Sequence, residues 1–462
     1  MTGRNDPFES MMETTSFDQS GNDVSDLLIA LLEHSSNVLV KKLSNNDRDW
    51  AQFSNKHQAG VYIPPKQRDG GFFPPLLSKV RPAGTAEILE TYFTTVWPQV
   101  GETRRTRLVH YTSKGPETHM TGLPRAAFIE LSPASFLVMA RFGDGEQAIY
   151  RCLTVDSVSE AAAILVDALE LEPDFLIDER RPPEYRKRER DRILTFAEEV
   201  ATAWLSGTIG AFAAQRTAMP DTLALADQAR SFYLKKHARR DMNPFEMESP
   251  GDALREISRA IEWDLFREYQ LRERAVGLVR IVLGDVPGQP AIARIIHALV
   301  DRLPEVDRYM LSAGQQRKAR AGVSFEHHIE RMLLDGKVPF GKQVVIQARK
   351  RPDFILPSFA FLTSPPTGKA KGLILSAKTT LRERWKQVER EMHGSELFLG
   401  TVDENIAANA IEEMASMGIN LVVPEHLKKA KETEYDRHKN VLSFKIFFGT
   451  VVSRRMASWR SI

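Results

Sequence analysis

The pattern of apolar residues changes at the charged segment ERRPPEYRKRERDR, which covers residues 179–192. Before this segment, short apolar runs such as GVYIPP, AAFIEL and SFLVMARF are separated by turn residues, a rhythm typical of a small, mainly β domain. After residue 217 helical periods dominate, and short strand-like runs such as GLILSAK and INLVVP then alternate with helices, which indicates an α/β domain. The change favours two domains of different class over one uniform fold.

The length of 462 residues is sufficient for two or three domains. The sequence predicts a disordered, polar and acidic tail over residues 1–22, a mainly β domain over residues 23–178 and an α/β domain over residues 217–462. Residues 179–216 are predicted to form a linker and a linking helix, because two prolines and dense charge precede the helical run ILTFAEEVATAWLSGTIGAFAA.

The composition excludes several kinds of protein. Cys152 is the only cysteine, which rules out an intrachain disulfide and a cysteine-rich zinc site. No apolar run approaches the ~18 residues of a membrane span, and the first twenty residues lack a secretory signal, so we expect a cytoplasmic protein. The net charge is only +2, but residues 341–390 hold eleven Lys and Arg residues against three Asp and Glu residues. A basic segment is most often a solvated surface and does not alone predict nucleic-acid binding.

Two residues at the ends of apolar runs indicate the chemistry. Asp353 opens the run DFILP, Lys378 closes the run GLILSAK, and a turn rich in Pro, Gly and Ser separates the two runs. A hairpin would bring both side chains to one point of a sheet. This is the layout of PD…(D/E)xK nucleases, with Ser376 at the position that ordinarily carries the acidic residue.

Hydrolysis of a phosphodiester bond explains why these residue types occur together. Carboxylate oxygens suit Mg²⁺, which keeps several waters and lowers the pKa of one of them, and a lysine beside that water stabilises developing negative charge. One aspartate provides too few ligands, so a second carboxylate is required. Glu391, thirteen residues after Lys378, and Glu326, on the earlier predicted helix SFEHHIERMLL, are both candidates.

The triplet Arg382-Glu383-Arg384 follows Lys378 at the predicted start of a helix. Arginine pairs with guanine in the major groove and a carboxylate accepts from cytosine, so the triplet suits adjacent G·C pairs. An ordinary charged first turn is the plain alternative, but the position directly after Lys378 favours base recognition.

Four segments in order, KARAGVSFEHHIERMLL, RPDFILPS, LILSAKTTLRERWKQVEREM and INLVVP, resemble the catalytic domain of EcoRII-type restriction endonucleases. In the N-terminal half, VKKLSNND, KHQAGVYIPP and FFPP are similar to the effector domain of that family. The resemblance therefore implies an N-terminal, mainly β DNA-binding pseudobarrel and a C-terminal α/β domain of the restriction-endonuclease-like, PD-(D/E)xK class.

The resemblance also assigns roles to individual residues. The implied catalytic residues are Asp353, Lys378, the displaced acidic ligand Glu391 and the supporting carboxylate Glu326. Asp353 and Glu391 would hold Mg²⁺. Base recognition is assigned to Arg382, Glu383 and Arg384, and effector DNA binding to Lys41, His57 and Glu117. The effector loop NNDRDWAQFSNKHQ departs from the family pattern, because it is longer and lacks glycines.

Beyond single residues, the resemblance implies cleavage of double-stranded DNA at a CCNGG-like site, chiefly CCWGG, before the first C, leaving 5′-phosphates. It implies a homodimer, a second DNA copy bound by the N-terminal domain, and a DNA cytosine methyltransferase as functional partner. Two alternatives stay open: a catalytically silent DNA-binding relative, and a nuclease of low sequence specificity. The presence of Asp353, Lys378 and Glu391 favours an enzyme, and the Arg-Glu-Arg triplet argues against low specificity.

Overall fold

The computed structural model describes residues 23–53, 60–79, 82, 86–143, 148–288, 290–342, 352–364, 367, 370–381 and 396–459. These residues form two parts, each built around its own sheet. The predicted fold class, a mainly β domain followed by an α/β domain, is confirmed. The predicted tail, residues 1–22, lies outside the described residues.

The N-terminal part is a nine-stranded sheet with four helices of at least five residues among the described segments. Its strands are β1 (Val38–Lys42), β2 (Val61–Tyr62), β3 (Leu77–Ser78), β4 (Ile88–Trp97), β5 (Glu102–Tyr111), β6 (Thr118–Thr121), β7 (Phe136–Phe142), β8 (Ile149–Val155) and β9 (Ile177–Arg180). Its helices are α1 (Val24–His34), α2 (Asn45–Gln52), α3 (Pro65–Asp69) and α4 (Glu160–Ala168). The strand order is β2-β6-β5-β4-β8-β7-β1-β9, with β3 paired to β4.

Strand β7 shows why this sheet has two apolar faces. Successive side chains of a strand point to opposite faces, so Leu137 and Met139 pack into one cluster while Phe136 and Val138 pack into another. The first cluster contains most of the buried aromatic side chains described in the N-terminal part, and the second is covered by α1 and α4. A strand that is buried on both faces is apolar throughout, as the run FLVMA is.

The C-terminal part follows through a series of helices and a second sheet. The helices are α5 (Pro182–Leu205), α6 (Ile209–Phe212), α7 (Thr222–Lys236), α8 (Pro250–Glu256), α9 (Glu262–Leu283), α10 (Ile292–Asp301), α11 (Leu303–Asp335), α12 (Phe359–Thr363), α13 (Ala408–Ser416), α14 (Glu425–Lys429), α15 (Phe444–Ile446) and α16 (Ser453–Trp459). The strands are β10 (Gly341–Lys342), β11 (Phe354–Leu356), β12 (Leu373–Ala377), β13 (Glu396–Gly400), β14 (Ile419–Val423) and β15 (Val441–Ser443).

The six strands of this second sheet lie in chain order, β10 to β15. Strands β10, β11 and β12 are antiparallel, whereas β12, β13, β14 and β15 are parallel. Along β12, Leu373 and Leu375 pack on the cluster that includes Phe325 and Met332 of α11, and Ile374 packs on the opposite cluster. Both faces of the sheet are therefore covered by apolar clusters, and α11 packs on the face to which Leu375 points.

Helix α5 begins inside the charged segment that the sequence suggests is a linker. Pro182 and Pro183 stand in its first turn, where a missing N–H costs no helical hydrogen bond. The helix then packs on α9 through a small apolar cluster that includes Phe196, Val200, Trp204 and Val276. The segment is therefore helical because its prolines are placed at a helix start.

Buried polar contacts join the two parts at α2. The backbone N–H of Asn45 donates to the carbonyl oxygen of Lys431 at 2.8 Å. The guanidinium of Arg48 lies 3.0 Å from the carboxylate of Glu434, and both side chains are almost fully buried. These contacts fix the start of α2 against the loop that follows α14.

A second contact between the two parts is centred on Glu404. Lys42 lies 3.2 Å and Arg255 lies 2.8 Å from its carboxylate oxygens. Burial would raise the pKa of Glu404, but the positive charges of Lys42 and Arg255 outweigh it and lower that pKa. Glu404 is thus held as an anion between one cation from each part.

None of the helices in the described part of the chain combines the length and the apolar character that crossing a membrane requires.

Candidate active site

Asp353 and Ser376 meet because of the register between β11 and β12. Phe354 pairs with Leu375 in an antiparallel ladder, so the preceding Asp353 lies opposite Ser376. The Ser376 hydroxyl donates to Asp353 Oδ2 at 2.9 Å, and the backbone N–H of Ala377 donates to the same oxygen at 2.7 Å. Both Asp353 and Ser376 are buried.

Lys378 follows the last residue of β12 and completes this arrangement. Its backbone N–H donates to the carbonyl oxygen of Gly400 at 2.9 Å, which ties it to β13. Its Nζ atom donates to Asp353 Oδ2 at 2.8 Å. The lysine side chain is about twice as exposed as that of Asp353, at 26% against 12%. The pair therefore has a fixed inner carboxylate and an ammonium that reaches solvent.

Glu326 approaches Asp353 from α11 and lies within hydrogen-bonding reach of it. Burial and the negative charge of Asp353 raise the pKa of Glu326 to about 7, although the positive charges of Lys378 and Lys342 oppose the shift. The carboxyl groups of Asp353 and Glu326 and the ammonium groups of Lys378 and Lys342 thus lie close together, where β11 begins and β12 ends. The structure therefore joins three predicted catalytic residues: Asp353, Lys378 and Glu326.

Lys342 is a member of this group that the sequence did not identify. It lies on β10, and its Nζ atom donates to Glu330 Oε2 at 2.6 Å. Glu330 stands one helical turn after Glu326 on α11. No local motif marks Lys342, because β10 has only two residues.

A buried polar cluster fixes the turn of α11 that carries Glu326. Ser324 donates to Glu262 Oε2 at 2.5 Å, and His328 Nε2 lies 3.0 Å from the same oxygen. Burial lowers the pKa of His328, although Glu262 opposes this shift. Since Ser324 and His328 flank Glu326 by two residues on either side, their contacts with α9 hold the helix in place.

The donor set of the group fits a hard divalent cation. Asp353 and Glu326 offer carboxylate oxygens, the ligand type that Mg²⁺ prefers, and burial together with the negative charge of Asp353 raises the pKa of Glu326. Within the described ranges, no three His, Cys, Asp or Glu side chains form a metal-binding cluster. The predicted ligand Glu391 lies outside the described residues.

Asp403 is a second residue that no sequence pattern identifies. It is buried after β13, and its Oδ2 atom accepts the backbone N–H of Leu381 at 2.7 Å. Leu381 directly precedes the predicted base-recognition triplet. Arg382, Glu383 and Arg384 themselves lie outside the described residues.

The predicted effector residues fall in the N-terminal part. Lys41 is buried on β1, with its Nζ atom 3.1 Å from Asp47 and 5.7 Å from the ring centre of Tyr62. Glu117 is exposed before β6, and its carboxylate lies 3.5 Å from His119. The third residue, His57, is outside the described residues.

Comparisons with known proteins agree with the C-terminal part of this description. Residues 289–448 match the family model described as EcoRII C terminal. The chain is 34% identical over 122 residues to the Type II restriction enzyme EcoRII of Escherichia coli, which is 26% of this chain and 30% of that enzyme. It is 30% identical over 145 residues to the Type II restriction enzyme SsoII of Shigella sonnei, which is 29% of this chain and 46% of that enzyme.

A solved structure of metal-depleted Ecl18kI in complex with uncleaved, modified DNA is also similar. The sequence identity is 20%, the TM-score is 0.44, and the similarity covers 55% of this chain and 86% of Ecl18kI. The chain matches less than half the length of either curated relative. The similarity to EcoRII-type restriction enzymes therefore lies in the C-terminal half of the chain, where residues 289–448 match the EcoRII C-terminal family model.

Proposed function

We propose that the chain is a Mg²⁺-dependent Type II restriction endonuclease that hydrolyses phosphodiester bonds of double-stranded DNA. The observation that supports this most directly is the convergence of Ser376, Ala377 and Lys378 on one oxygen of Asp353. Three donors on one oxygen fix the carboxylate in a single orientation, as an active site requires.

Each residue of the group has a distinct part in this proposal. Lys378 carries the positive charge that can stabilise negative charge on the phosphate or on attacking water. Glu326, whose pKa is raised to about 7, would lose its proton when the metal ion binds. Ser376 and Ala377 orient Asp353 and do not touch the substrate.

Asp353 and Glu326, together with Glu391, would hold the metal ion. When bound, Mg²⁺ would supply positive charge against the phosphate oxygens and make water a stronger acid. The metal would also relieve the repulsion between Asp353 and Glu326, which adds to the effect of burial in raising the pKa of Glu326.

The sequence specificity in this proposal is a CCNGG-like site, chiefly CCWGG, cut before the first C to leave 5′-phosphates. Arg382, Glu383 and Arg384 would read its G·C pairs. The enzyme would act as a homodimer in the cytoplasm, alongside a DNA cytosine methyltransferase that protects host sites.

The N-terminal domain, residues 23–178, would bind a second DNA copy through Lys41, His57 and Glu117. Residues 179–216 would connect it to the catalytic domain, residues 217–462. Lys41 pairs with Asp47, and Asp47 belongs to α2, which is docked on the loop after α14. DNA that engages Lys41 would therefore compete with contacts that hold the two parts together.

Plasmid cleavage tests this proposal. Purified protein is incubated with Mg²⁺ and plasmids that carry two, one or no CCWGG sites, and the cut ends are sequenced. Discrete fragments that end before the first C support the proposal. A smear would indicate a nuclease of low specificity, and intact plasmid with retained DNA binding would indicate a catalytically silent relative.

A further inference from the structure

Asp403 carries a buried carboxylate on the loop that follows β13. The residue is 3% exposed, and within the described ranges its two carboxylate oxygens are bound by backbone N–H groups rather than by a lysine or an arginine. A carboxylate that is buried without a counter-charge costs free energy unless hydrogen bonds satisfy it. The backbone groups that bind Asp403 are therefore held firmly in return, because hydrogen bonds to an ionised acceptor are stronger than those to a neutral one.

One of these backbone groups lies just beyond the catalytic lysine. Strands β12 and β13 are parallel neighbours, and their last residues, Ala377 and Gly400, pair with each other. Directly after the strands, the N–H of Lys378 donates to the carbonyl oxygen of Gly400 at 2.9 Å. Three residues later, the N–H of Leu381 donates to Asp403 Oδ2 at 2.7 Å. Residues 400–403 thus hold both ends of the segment 378–381.

Asp403 is itself fixed by its surroundings. Its backbone N–H donates to Thr401 Oγ1 at 3.0 Å, and its Oδ1 atom accepts the backbone N–H of Asn405 at 3.1 Å. Its carbonyl oxygen accepts from the hydroxyl of Tyr435, which is fully buried. Because both the main chain and the side chain of Asp403 are tied down, its carboxylate is a rigid support for Leu381.

We propose that Asp403 is a positioning residue for sequence discrimination. It fixes the backbone at Leu381, and with it the origin of the base-recognition triplet that starts at Arg382, relative to Lys378. Hydrogen bonds to base edges depend on close placement of the side chains that make them. Asp403 itself is buried and does not touch DNA. The effect on discrimination rests on the proposed function, whereas the fixed backbone at Leu381 does not.

Binding of DNA in Ca²⁺ tests the effect on discrimination. Asp403→Ala removes both acceptor oxygens, so the ratio of affinities for CCWGG and for single-mismatch duplexes should fall about tenfold or more, the range that one bidentate base contact provides. Affinity for the mismatched duplexes should stay near that of the wild type. Asp403→Asn keeps one acceptor oxygen for one of the two N–H groups, so its ratio should lie between those of the wild type and Asp403→Ala.

Asp252→Ala is the matched control. The Asp252 carboxylate also accepts a backbone N–H, that of His426 at 2.9 Å, but it does not contact the segment 378–381. This variant should lose thermal stability and keep the wild-type ratio, which separates positioning from a general loss of stability. An unchanged ratio in both Asp403 variants, or an equal fall in Asp252→Ala, would overturn the proposal.

Hydrogen exchange measures the positioning itself, without DNA or metal. Peptides that contain Leu381 should take up deuterium faster in Asp403→Ala than in the wild type, because the N–H loses its acceptor and the segment opens more readily. Uptake in Asp252→Ala should match the wild type, and equal uptake in all three proteins would overturn the proposal. A wild type that does not discriminate CCWGG would instead refute the proposed specificity, while the exchange measurement still decides whether Asp403 fixes Leu381.

Discussion

The Nζ atom of Lys378 lies 2.8 Å from Oδ2 of Asp353. The two residues come from neighbouring antiparallel strands, and the Gly400 carbonyl holds the lysine backbone from the next strand. Oδ2 of the buried Asp353 carboxylate therefore binds the partly exposed ammonium of Lys378. Substitutions at either residue should separate catalysis from DNA binding.

Lys378→Ala should lower the cleavage rate by about 10²–10³-fold, the usual effect of removing one group that stabilises developing charge. Asp353→Ala should abolish cleavage, because it removes both a metal ligand and the partner of the lysine. Both variants should still bind specific DNA in Ca²⁺, as measured by gel shift. Lys371→Ala is the matched control, since Lys371 is exposed before β12, and it should cut normally. Wild-type rates in the Lys378→Ala variant would contradict the assignment.

Glu326→Gln should stabilise the metal-free protein at high pH. The folded-state pKa of Glu326 is raised to about 7 from its ordinary value of 4.5, so the folded protein binds an extra proton between these values and loses stability as pH rises through them. The variant should therefore match the wild type near pH 4 and exceed it by about 1–2 kcal/mol at pH 8, after allowance for solvent screening. Thermal melting measures this difference.

The control for that measurement is Glu330→Gln. The Glu330 carboxylate accepts from Lys342, so this substitution removes an ion pair and should give no stabilisation at pH 8. Added Mg²⁺ should reduce the advantage of Glu326→Gln, because the metal binds the ionised carboxyl of the wild type. An advantage that is equal at all pH values would show that the effect is unrelated to ionisation.

Mg²⁺ titrations of cleavage distinguish the roles of Glu391 and Glu326 as metal ligands. Glu391→Ala should raise the Mg²⁺ concentration needed for half-maximal cleavage, if Glu391 supplies the ligand that Ser376 cannot. The same titration on Glu326→Gln measures the contribution from α11. Unchanged Mg²⁺ dependence in Glu391→Ala, together with a large change in Glu326→Gln, would assign the ligand to Glu326.

Arg384→Ala should reduce sequence discrimination. Loss of a bidentate contact to guanine costs about 1–3 kcal/mol of preference for the correct base. Binding of the variant to CCWGG and to single-mismatch duplexes in Ca²⁺ gives the ratio directly. A ratio equal to that of the wild type would remove Arg384 from base recognition.

Glu434→Ala should loosen the contact between the two parts of the chain. It removes the partner of Arg48, and an unpaired buried charge is strongly unfavourable, so the docked arrangement becomes less populated. Cleavage of a one-site plasmid should then accelerate relative to a two-site plasmid. Lys439→Ala is the control, because Lys439 is exposed five residues after Glu434, and it should leave the ratio unchanged.

The sequence predicted those features that depend on local pattern. Asp353 and Lys378 each mark the end of an apolar run, so their meeting follows once β11 and β12 pair. The sequence did not decide whether Glu326 or Glu391 is the second carboxylate of the site, because the residues of a helix do not determine the direction in which it crosses a sheet. Only the packing of α11 on Leu375 brings Glu326 to the site.

Other features had no local signal. Asp403 acts through the backbone of Leu381, 22 residues earlier, and nothing near Asp403 in the sequence indicates that contact. From the sequence alone, Lys41 resembles a solvent-exposed lysine. In the structure β1 is buried on both faces, and the Lys41 ammonium forms an ion pair with Asp47. The two prolines of α5 suggest a linker in the sequence, because proline breaks a helix in its interior but is also common in the first turn of a helix.

Ser376 also limits the routes by which this chain can change. Its side chain is fully buried and lies 2.9 Å from Asp353, so an aspartate there would place a second buried anion against the first. A single substitution back to the common acidic residue would therefore be harmful unless a bound cation or another mutation compensated for it. The serine thus disfavours the return of an acidic side chain to this position of β12.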